Sequence, residues 1–253
     1  MVALLRLNEL TKDFGGLRAV DHCSFEVPEH ALFGLIGPNG SGKSTIFNLV
    51  TGFLPPTSGQ VYLKGQDITN KKPYEINQRG IARTFQLVKV FRNMTVMENL
   101  LLAPKRQPGE QILPALFKPP SVREAERQNI AKARALLDII GLRAAENNLA
   151  GSLSYAEQKL VEISRAMMTD PDLIMLDEPA SGVNPTLMNR ILDYIRQLRD
   201  TQGKTFLIVE HDMRVVMKLC ERIAVLNYGR KIAEGTASEI SRDPLVIDAY
   251  LGV

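Results

Sequence analysis

Gly37-Pro38-Asn39-Gly40-Ser41-Gly42-Lys43-Ser44-Thr45 stands between the apolar run Leu32-Phe33-Gly34-Leu35-Ile36 and the apolar stretch Ile46-Phe47-Asn48-Leu49-Val50. That order asks for a strand, a glycine-rich loop and a helix in immediate succession. Gly37 and Gly42 permit backbone angles and close approaches that a Cβ would obstruct, so successive N–H groups and the helix N-terminus can converge on phosphate oxygens. Lys43 then reaches the β- and γ-phosphates of a nucleoside triphosphate. The Ser44 hydroxyl is placed to ligate Mg²⁺, and Thr45, one residue into the helix, adds a hydroxyl to the cradle. A flexible Gly/Ser turn would share the composition of this loop but not its strand-before, helix-after setting.

Around this loop the sequence predicts an α/β chain. At 253 residues it can form one large domain or one domain carrying an inserted subdomain. Leu4 to Leu10 and Val20 to Val27 alternate apolar with polar residues around Gly15-Gly16, as an antiparallel strand pair does. Val61-Tyr62-Leu63 with the turn at Lys64-Gly65, and Ile81 to Phe85, add further short strands. From about Val88 to Met168 the periodicity turns helical, and Thr95-Val96-Met97-Glu98 and Ser121-Val122-Arg123-Glu124 both fit a capping box, marking two helix starts. Pro104 to Pro120 reads as a surface connection, and Ala131 to Ile140 as a helix ending at Gly141. Leu173-Ile174-Met175-Leu176 has the unbroken apolar character of a parallel strand buried on both faces. Asn184-Pro185 offers an N-cap and a first-turn proline for a helix to about Thr201. Thr205 to Val209 is the next buried strand, with a further helix to Cys220. Asn227-Tyr228-Gly229-Arg230 reads as a hairpin turn.

Asp177-Glu178 closes the Leu173 to Leu176 strand, in the order expected when neighbouring parallel strands bring a phosphate loop and an acidic pair to one sheet edge. Asp177 would hold Mg²⁺, directly or through water. Glu178 could orient or deprotonate the water that attacks the γ-phosphate. The same pair could simply cap the next helix, so its chemical role rests on the loop upstream. With 31 Lys and Arg against 28 Asp and Glu, the net charge of +3 is too mild to argue for a nucleic-acid surface. Cys23 and Cys220 lack metal-type spacing and read as buried, reduced thiols of a cytosolic protein. The apolar N-terminal stretch is too short for a signal peptide, and no run is long and apolar enough to cross a bilayer, so work at a membrane would need other subunits.

Taken in order, Gly37 to Thr45, Gln86 after Arg83-Thr84-Phe85, Leu153-Ser154-Tyr155-Ala156-Glu157-Gln158, Asp177-Glu178-Pro179 and His211 resemble the ATP-binding cassette (ABC) ATPases over nearly the whole chain. Gly80 to Gln86, Asn93 to Asn99, Glu178 to Pro185, Asp243-Pro244 and Ala249-Tyr250-Leu251-Gly252 are similar to the ATPase subunits of branched-chain amino acid importers. The resemblance implies a P-loop NTPase (RecA-like) α/β core with an N-terminal antiparallel β subdomain and an inserted α-helical subdomain. The nucleotide-binding core would comprise 1–87 and 166–235, the helical subdomain 88–165 and a C-terminal helical tail 236–253.

The resemblance also implies roles. Phe14 would stack on adenine, with Val20 beside it among the nucleotide contacts; Pro38, Asn39, Gly40 and Ser41 would join the phosphate cradle. Gln86 would sense Mg²⁺ and the γ-phosphate, making the metal set Ser44, Gln86 and Asp177. His211 would contact the γ-phosphate and support the attacking water, so the catalytic set is Lys43, Gln86, Glu178 and His211. Ser154, Ala156 and Glu157 would meet the nucleotide of a second ATPase subunit in a head-to-tail ATP sandwich. Here the residues depart from the commonest form of the segment, Leu-Ser-Gly-Gly-Gln. Ser154 and Glu157 fit a capping box that would keep the Glu157 charge off the phosphate, whereas Ala156 adds a methyl where backbone should approach phosphate closely. On that reading Ala156→Gly is expected to strengthen ATP-dependent dimerisation. Asn184 stands where many relatives carry Asp, keeping hydrogen bonding without the charge.

The function implied is an ATP-hydrolysing subunit on the cytoplasmic face of the inner membrane, working with integral membrane permease subunits and, indirectly, a substrate-binding protein. Branched-chain amino acids, amides or urea would be the cargo. A lipid or polysaccharide exporter ATPase shares every catalytic motif. A soluble nucleotide switch remains a third reading, although such relatives usually carry coiled coils or two cassettes in one chain. Leu87, Val88, Val90, Phe91 and Met94 would either line a groove for a helix of the membrane subunit or belong to the core.

Overall fold

A computed structural model describes residues 3–85, 88–105 and 120–251, and the chain forms two compact units. The first takes in the residues up to Arg83, Asp172–Ser181, and those from Ile195 onward. Its strands are β1 (Ala3–Phe14), β2 (Leu17–Pro28), β3 (Leu32–Ile36), β4 (Ser58–Leu63), β5 (Gln66–Asp67), β6 (Ile81–Arg83), β7 (Leu173–Asp177), β8 (Thr205–Val209), β9 (Arg222–Asn227) and β10 (Arg230–Gly235). They form an antiparallel sheet in the order β2-β1-β4-β5 and a second sheet in the order β10-β9-β3-β8-β7-β6. In the second sheet only β10 runs antiparallel to its neighbour.

Every residue of β3, β7 and β8 is buried, which is why these segments are unbroken apolar runs rather than alternating ones. β8 lies between β3 and β7, so the loops leaving those two strands begin on the same edge about 10 Å apart. The helix Lys43–Val50 follows the β3 loop and buries Ile46, Phe47 and Val50 in one cluster with Leu5, Leu7 and Leu10 of β1 and Phe25 of β2. Phe25 stacks on Phe33 at 5.6 Å between centroids, fixing β2 against β3. The hairpin turns sit where the sequence places them: Lys64-Gly65 and Tyr228-Gly229 both have positive φ at two successive residues, the geometry that matches strand twist.

The second unit, residues 84–171 and 182–194, is helical, with Val96–Leu101, Pro120–Ile139, Tyr155–Met168 and the start of Pro185–Gln202. Thr95 caps as expected: its hydroxyl accepts from the Glu98 N–H at 3.1 Å, and Glu98 accepts from the Thr95 N–H at 2.7 Å. Asn99, fully buried one turn on, donates to the Phe91 and Thr95 carbonyls at 3.0 and 2.9 Å. Ser164 and Tyr194 join the signature helix Tyr155–Met168 to residues 185–194 through a buried 2.8 Å hydroxyl pair. Asn184 accepts from the Leu187 N–H at 3.0 Å, as a cap of Pro185–Gln202 should.

The second predicted helix start shifts. Ser121 lies inside the helix Pro120–Ile139, and Glu124 accepts from Arg127 at 3.1 Å and Gln128 at 2.8 Å instead of folding back. The expected connection from Pro104 to Pro120 falls largely outside the described residues, as do Gln86 and Leu87. Of the apolar residues expected to line a groove or fill the core, Val88, Val90 and Met94 are half-buried and Phe91 is exposed under the Arg165 guanidinium.

Candidate active site

The phosphate loop is built around positions that exclude a side chain. Gly37 has φ +152°, and a Cβ there would lie 2.1 Å from the Leu226 carbonyl oxygen. Gly42, the N-cap of Lys43–Val50, has φ +101° and would meet the Ala19 carbonyl at 2.5 Å. Lys43 is buried, and its ammonium donates to the Gly37 and Pro38 carbonyls at 2.7 and 2.8 Å and to the Ser41 hydroxyl at 3.4 Å. Burial lowers its pKa, while the charges of Glu178 and Asp177 push it back up. Asn39, Gly40 and Ser44 are exposed, Pro38 and Thr45 are half-buried, and Ser41 is buried beneath them.

Asp177 ends β7 and Glu178 follows it, so both acids stand on the edge that carries the loop after β3. Asp177 is buried and paired with Arg83 at 3.2 Å. Burial raises the Asp177 pKa and lowers that of Arg83, with their mutual attraction opposing both shifts. Arg83 also donates to the Asn48 side-chain oxygen at 2.6 Å, tying the acid to the phosphate-loop helix. Glu178 sits at φ +49°, a left-handed conformation that an L-residue adopts only at a cost. Its N–H donates to the Val209 carbonyl at 2.9 Å, which holds that backbone across to β8. The next turn is fixed by Glu210, whose carboxylate, almost fully buried, accepts from the Ala180 N–H at 2.9 Å. His211 then places Nδ1 3.4 Å from the Glu178 carboxylate.

Lys43, Asp177, Glu178 and His211, chosen from the sequence, therefore converge on one edge. Arg83, Asn48 and Glu210 were not singled out there. A cationic residue in the otherwise apolar Ile81 to Phe85 segment, and an acid directly after the Thr205 to Val209 run, were the signals available for two of them.

Phe14, at the end of β1, is 44% exposed, and the Lys12 ammonium lies 5.2 Å from its ring centroid while donating to the Pro55 carbonyl at 2.8 Å. One ring face is thus taken by a held cation. Val20, expected among the nucleotide contacts, is fully buried, and its Cγ2 lies 3.6 Å from where a Gly42 Cβ would stand. It supports the loop from beneath and presents no surface to a ligand.

In the second unit the signature helix opens with the expected capping box. The Glu157 carboxylate accepts from the Ser154 N–H at 2.9 Å and from its hydroxyl at 2.6 Å, and Ser154 in turn accepts from the Glu157 N–H at 3.4 Å. Ser154 and Tyr155 are exposed, whereas Ala156 is buried. Ala156 is only 4% exposed, so its methyl is not part of the surface at Ser154 and Tyr155 that a partner would meet, which argues against Ala156→Gly strengthening dimerisation.

The ABC transporter family model matches residues 20–181, the span from β2 through the phosphate loop and signature helix to the acidic pair. The chain belongs to the ABC transporter ATP-binding family. A second model, described as branched-chain amino acid ATP-binding cassette transporter, matches residues 230–253 of this ABC ATPase. The chain is 43% identical to the high-affinity branched-chain amino acid transport ATP-binding protein LivG of Salmonella typhimurium, covering 98% of each. Among solved structures, an ATP-binding cassette of an ABC transporter in its ADP conformation superimposes with a TM-score of 0.86 at 39% identity, covering both chains completely. A dimeric cassette in a post-hydrolysis state bound to ADP and phosphate gives 0.74 at 26% identity, over 92% of this chain and 98% of that one. Both likenesses bear out the P-loop α/β core expected from the sequence.

Proposed function

We propose that this ABC ATPase is the ATP-hydrolysing subunit of a membrane importer, with branched-chain amino acids or related small polar solutes as cargo. The convergence of Lys43, Asp177, Glu178 and His211 beside a loop whose Gly37 and Gly42 leave no room for a side chain carries this reading. The loop N–H groups and Lys43 bind the triphosphate, and Phe14 offers its open face to adenine. Glu178 takes the proton of the attacking water, while His211 steadies that water from the neighbouring strand end. Ser44 and Asp177 supply a hydroxyl and a carboxylate, a sparse oxygen set that suits Mg²⁺. When bound with ATP, Mg²⁺ neutralises charge on the β- and γ-phosphates. Gln86 completes this set in the proposal.

The partners proposed are integral membrane permeases, a second ATPase subunit facing Ser154 and the signature helix, and, at one remove, a substrate-binding protein. Among the described residues no helix is long and apolar enough to cross a membrane, so the subunit would sit peripherally on the cytoplasmic face. Co-expression with two permeases, reconstitution into liposomes and addition of a leucine-loaded binding protein tests the assignment. The expected result is co-purification and ATP hydrolysis stimulated by the loaded binding protein. A chain that purifies without permeases and hydrolyses ATP indifferently to them would overturn it.

The burial of Ala156 gives a subsidiary prediction. Ala156→Gly should destabilise the chain by up to about 1 kcal/mol through helix propensity, leaving ATP-dependent association in a Glu178→Gln background no tighter. Thermal melts and size-exclusion chromatography with ATP measure the two effects, and a tighter dimer would restore the obstruction assigned to the methyl.

A further inference from the structure

Asp21, on β2, is buried, and both oxygens of its carboxylate are engaged by nitrogen-bearing side chains. Oδ2 accepts from the Arg230 Nε at 2.5 Å. Oδ1 accepts from the Arg18 Nη1 at 3.1 Å and lies 2.8 Å from the His22 Nδ1. Arg18 and His22 belong to β2 with Asp21, whereas Arg230 opens β10 far along the chain.

From this carboxylate two paths lead toward the nucleotide site. In one direction Arg18 grips Asp13, the neighbour of Phe14, with a fork: its Nε donates to Oδ1 at 2.8 Å and its Nη2 to Oδ2 at 3.3 Å. Asp13 and Phe14 pair with Arg18 and Leu17 across the turn at Gly15-Gly16, so the aromatic ring rides on the tip of a hairpin. The Asp13 N–H donates to the Thr57 hydroxyl at 2.9 Å, which anchors the strand and leaves the carboxylate to Arg18. Packing does little for the tip itself, because a Cβ at Gly15 or Gly16 would meet nothing within 4 Å and Leu17 is 67% exposed. In the other direction the Asp21 N–H donates to the Gly229 carbonyl at 2.9 Å, and the Gly229 N–H donates to the Ser41 carbonyl at 3.0 Å. Asp13, Arg18, Asp21, Gly229 and Ser41 thus form one continuous chain of hydrogen bonds from the Phe14 tip to the phosphate loop.

We propose that Asp21 is a positioning residue for adenine, its carboxylate acting through Arg18 and Asp13 to set the Phe14 ring at a fixed offset from the phosphate loop. Base and triphosphate then meet a single preorganised frame, and the effect falls on nucleotide affinity ahead of the chemical step. This inference rests on the reading above in which Phe14 stacks on adenine.

Asp21→Asn keeps the size of the side chain and removes its charge and one acceptor. In the full-length chain we expect MgATP to bind about three- to tenfold more weakly, between the scale of an exposed ion pair and that of a buried charge-assisted hydrogen bond. At saturating ATP, kcat should change less than twofold. A double-substitution cycle with Phe14→Ala separates positioning of the ring from a general loss of stability. Once Phe14 is gone, Asp21→Asn should weaken ATP binding less than twofold further. Equal losses with and without Phe14, ATP affinity like that of the parent in Asp21→Asn, or a loss of kcat at unchanged affinity would overturn the proposal. Arg18→Gln cuts the same path at an exposed position and keeps the test open if Asp21→Asn does not fold. The same selective loss and the same dependence on Phe14 are expected of it, and unchanged affinity would count equally against the proposal. Failure of the stacking reading shows elsewhere, in Phe14→Ala alone binding ATP as tightly as the parent.

Discussion

Glu178→Gln should lower steady-state ATP hydrolysis by at least about a hundredfold, the scale of a positioned general base, while ATP still binds. Gln preserves the size of the side chain but cannot take a proton from water at neutral pH. The binding groups are elsewhere: the loop N–H groups lie between β3 and the helix that Lys43 opens, and Glu178 follows β7. Removing a negative charge from beside the triphosphate should hold ATP affinity steady or raise it. The substitution also replaces the carboxylate beside His211, whose Nδ1 lies 3.4 Å from Glu178, so the two residues are coupled and His211→Ala made on top of Glu178→Gln should add little. Phosphate release and equilibrium binding measured on the same preparation separate the two effects. Substantial turnover in the glutamine variant would move the base to another residue.

Lys43→Met should cost at least about a hundredfold in ATP affinity, because an ammonium hydrogen-bonded to phosphate contributes on the order of 1.5–3 kcal/mol per contact. Met keeps most of the buried stem. The empty protein should tolerate the change, since the ammonium is spent there on the Gly37 and Pro38 carbonyls of its own loop. Those carbonyls lose their donor, and the buried charge with its desolvation cost disappears at the same time. The expected signature is therefore a large loss of nucleotide binding with a small shift in the melting temperature of the nucleotide-free protein. A variant that binds ATP normally would show that the loop amides suffice and that Lys43 serves only the loop. A collapse of the melting temperature would instead make Lys43 a structural residue first.

What could be read from the sequence was local. Strand, loop and helix around Gly37 to Thr45 are specified within twenty or so residues, by glycines whose positions admit nothing larger and by apolar runs of the right length. The capping boxes at Thr95 and Ser154 are equally local and formed as read. The same pattern at Ser121 did not, because Ser121 lies within the helix Pro120–Ile139 and the Glu124 carboxylate is engaged by Arg127 and Gln128. Pairings across long separations were out of reach. Arg83 meets Asp177 only because β6 and β7 are neighbours, and Glu210 reaches the Ala180 N–H only because β8 lies next to β7. The direction of the Ala156 methyl depends on what surrounds the signature helix, which helix propensity and capping leave open. Gln86, read from resemblance, lies outside the described residues, and its role is a proposal.

β3 and β7 share no hydrogen bonds; β8 is the strand between them, and it comes from much later in the chain. During synthesis the ribosome releases the phosphate loop well before Thr205–Val209, so a nascent chain holds the loop and the acidic pair without the spacer that sets them side by side. A fragment cut short of residue 205 would lack the strand that spaces the loop from the acidic pair, and is expected to hydrolyse no ATP.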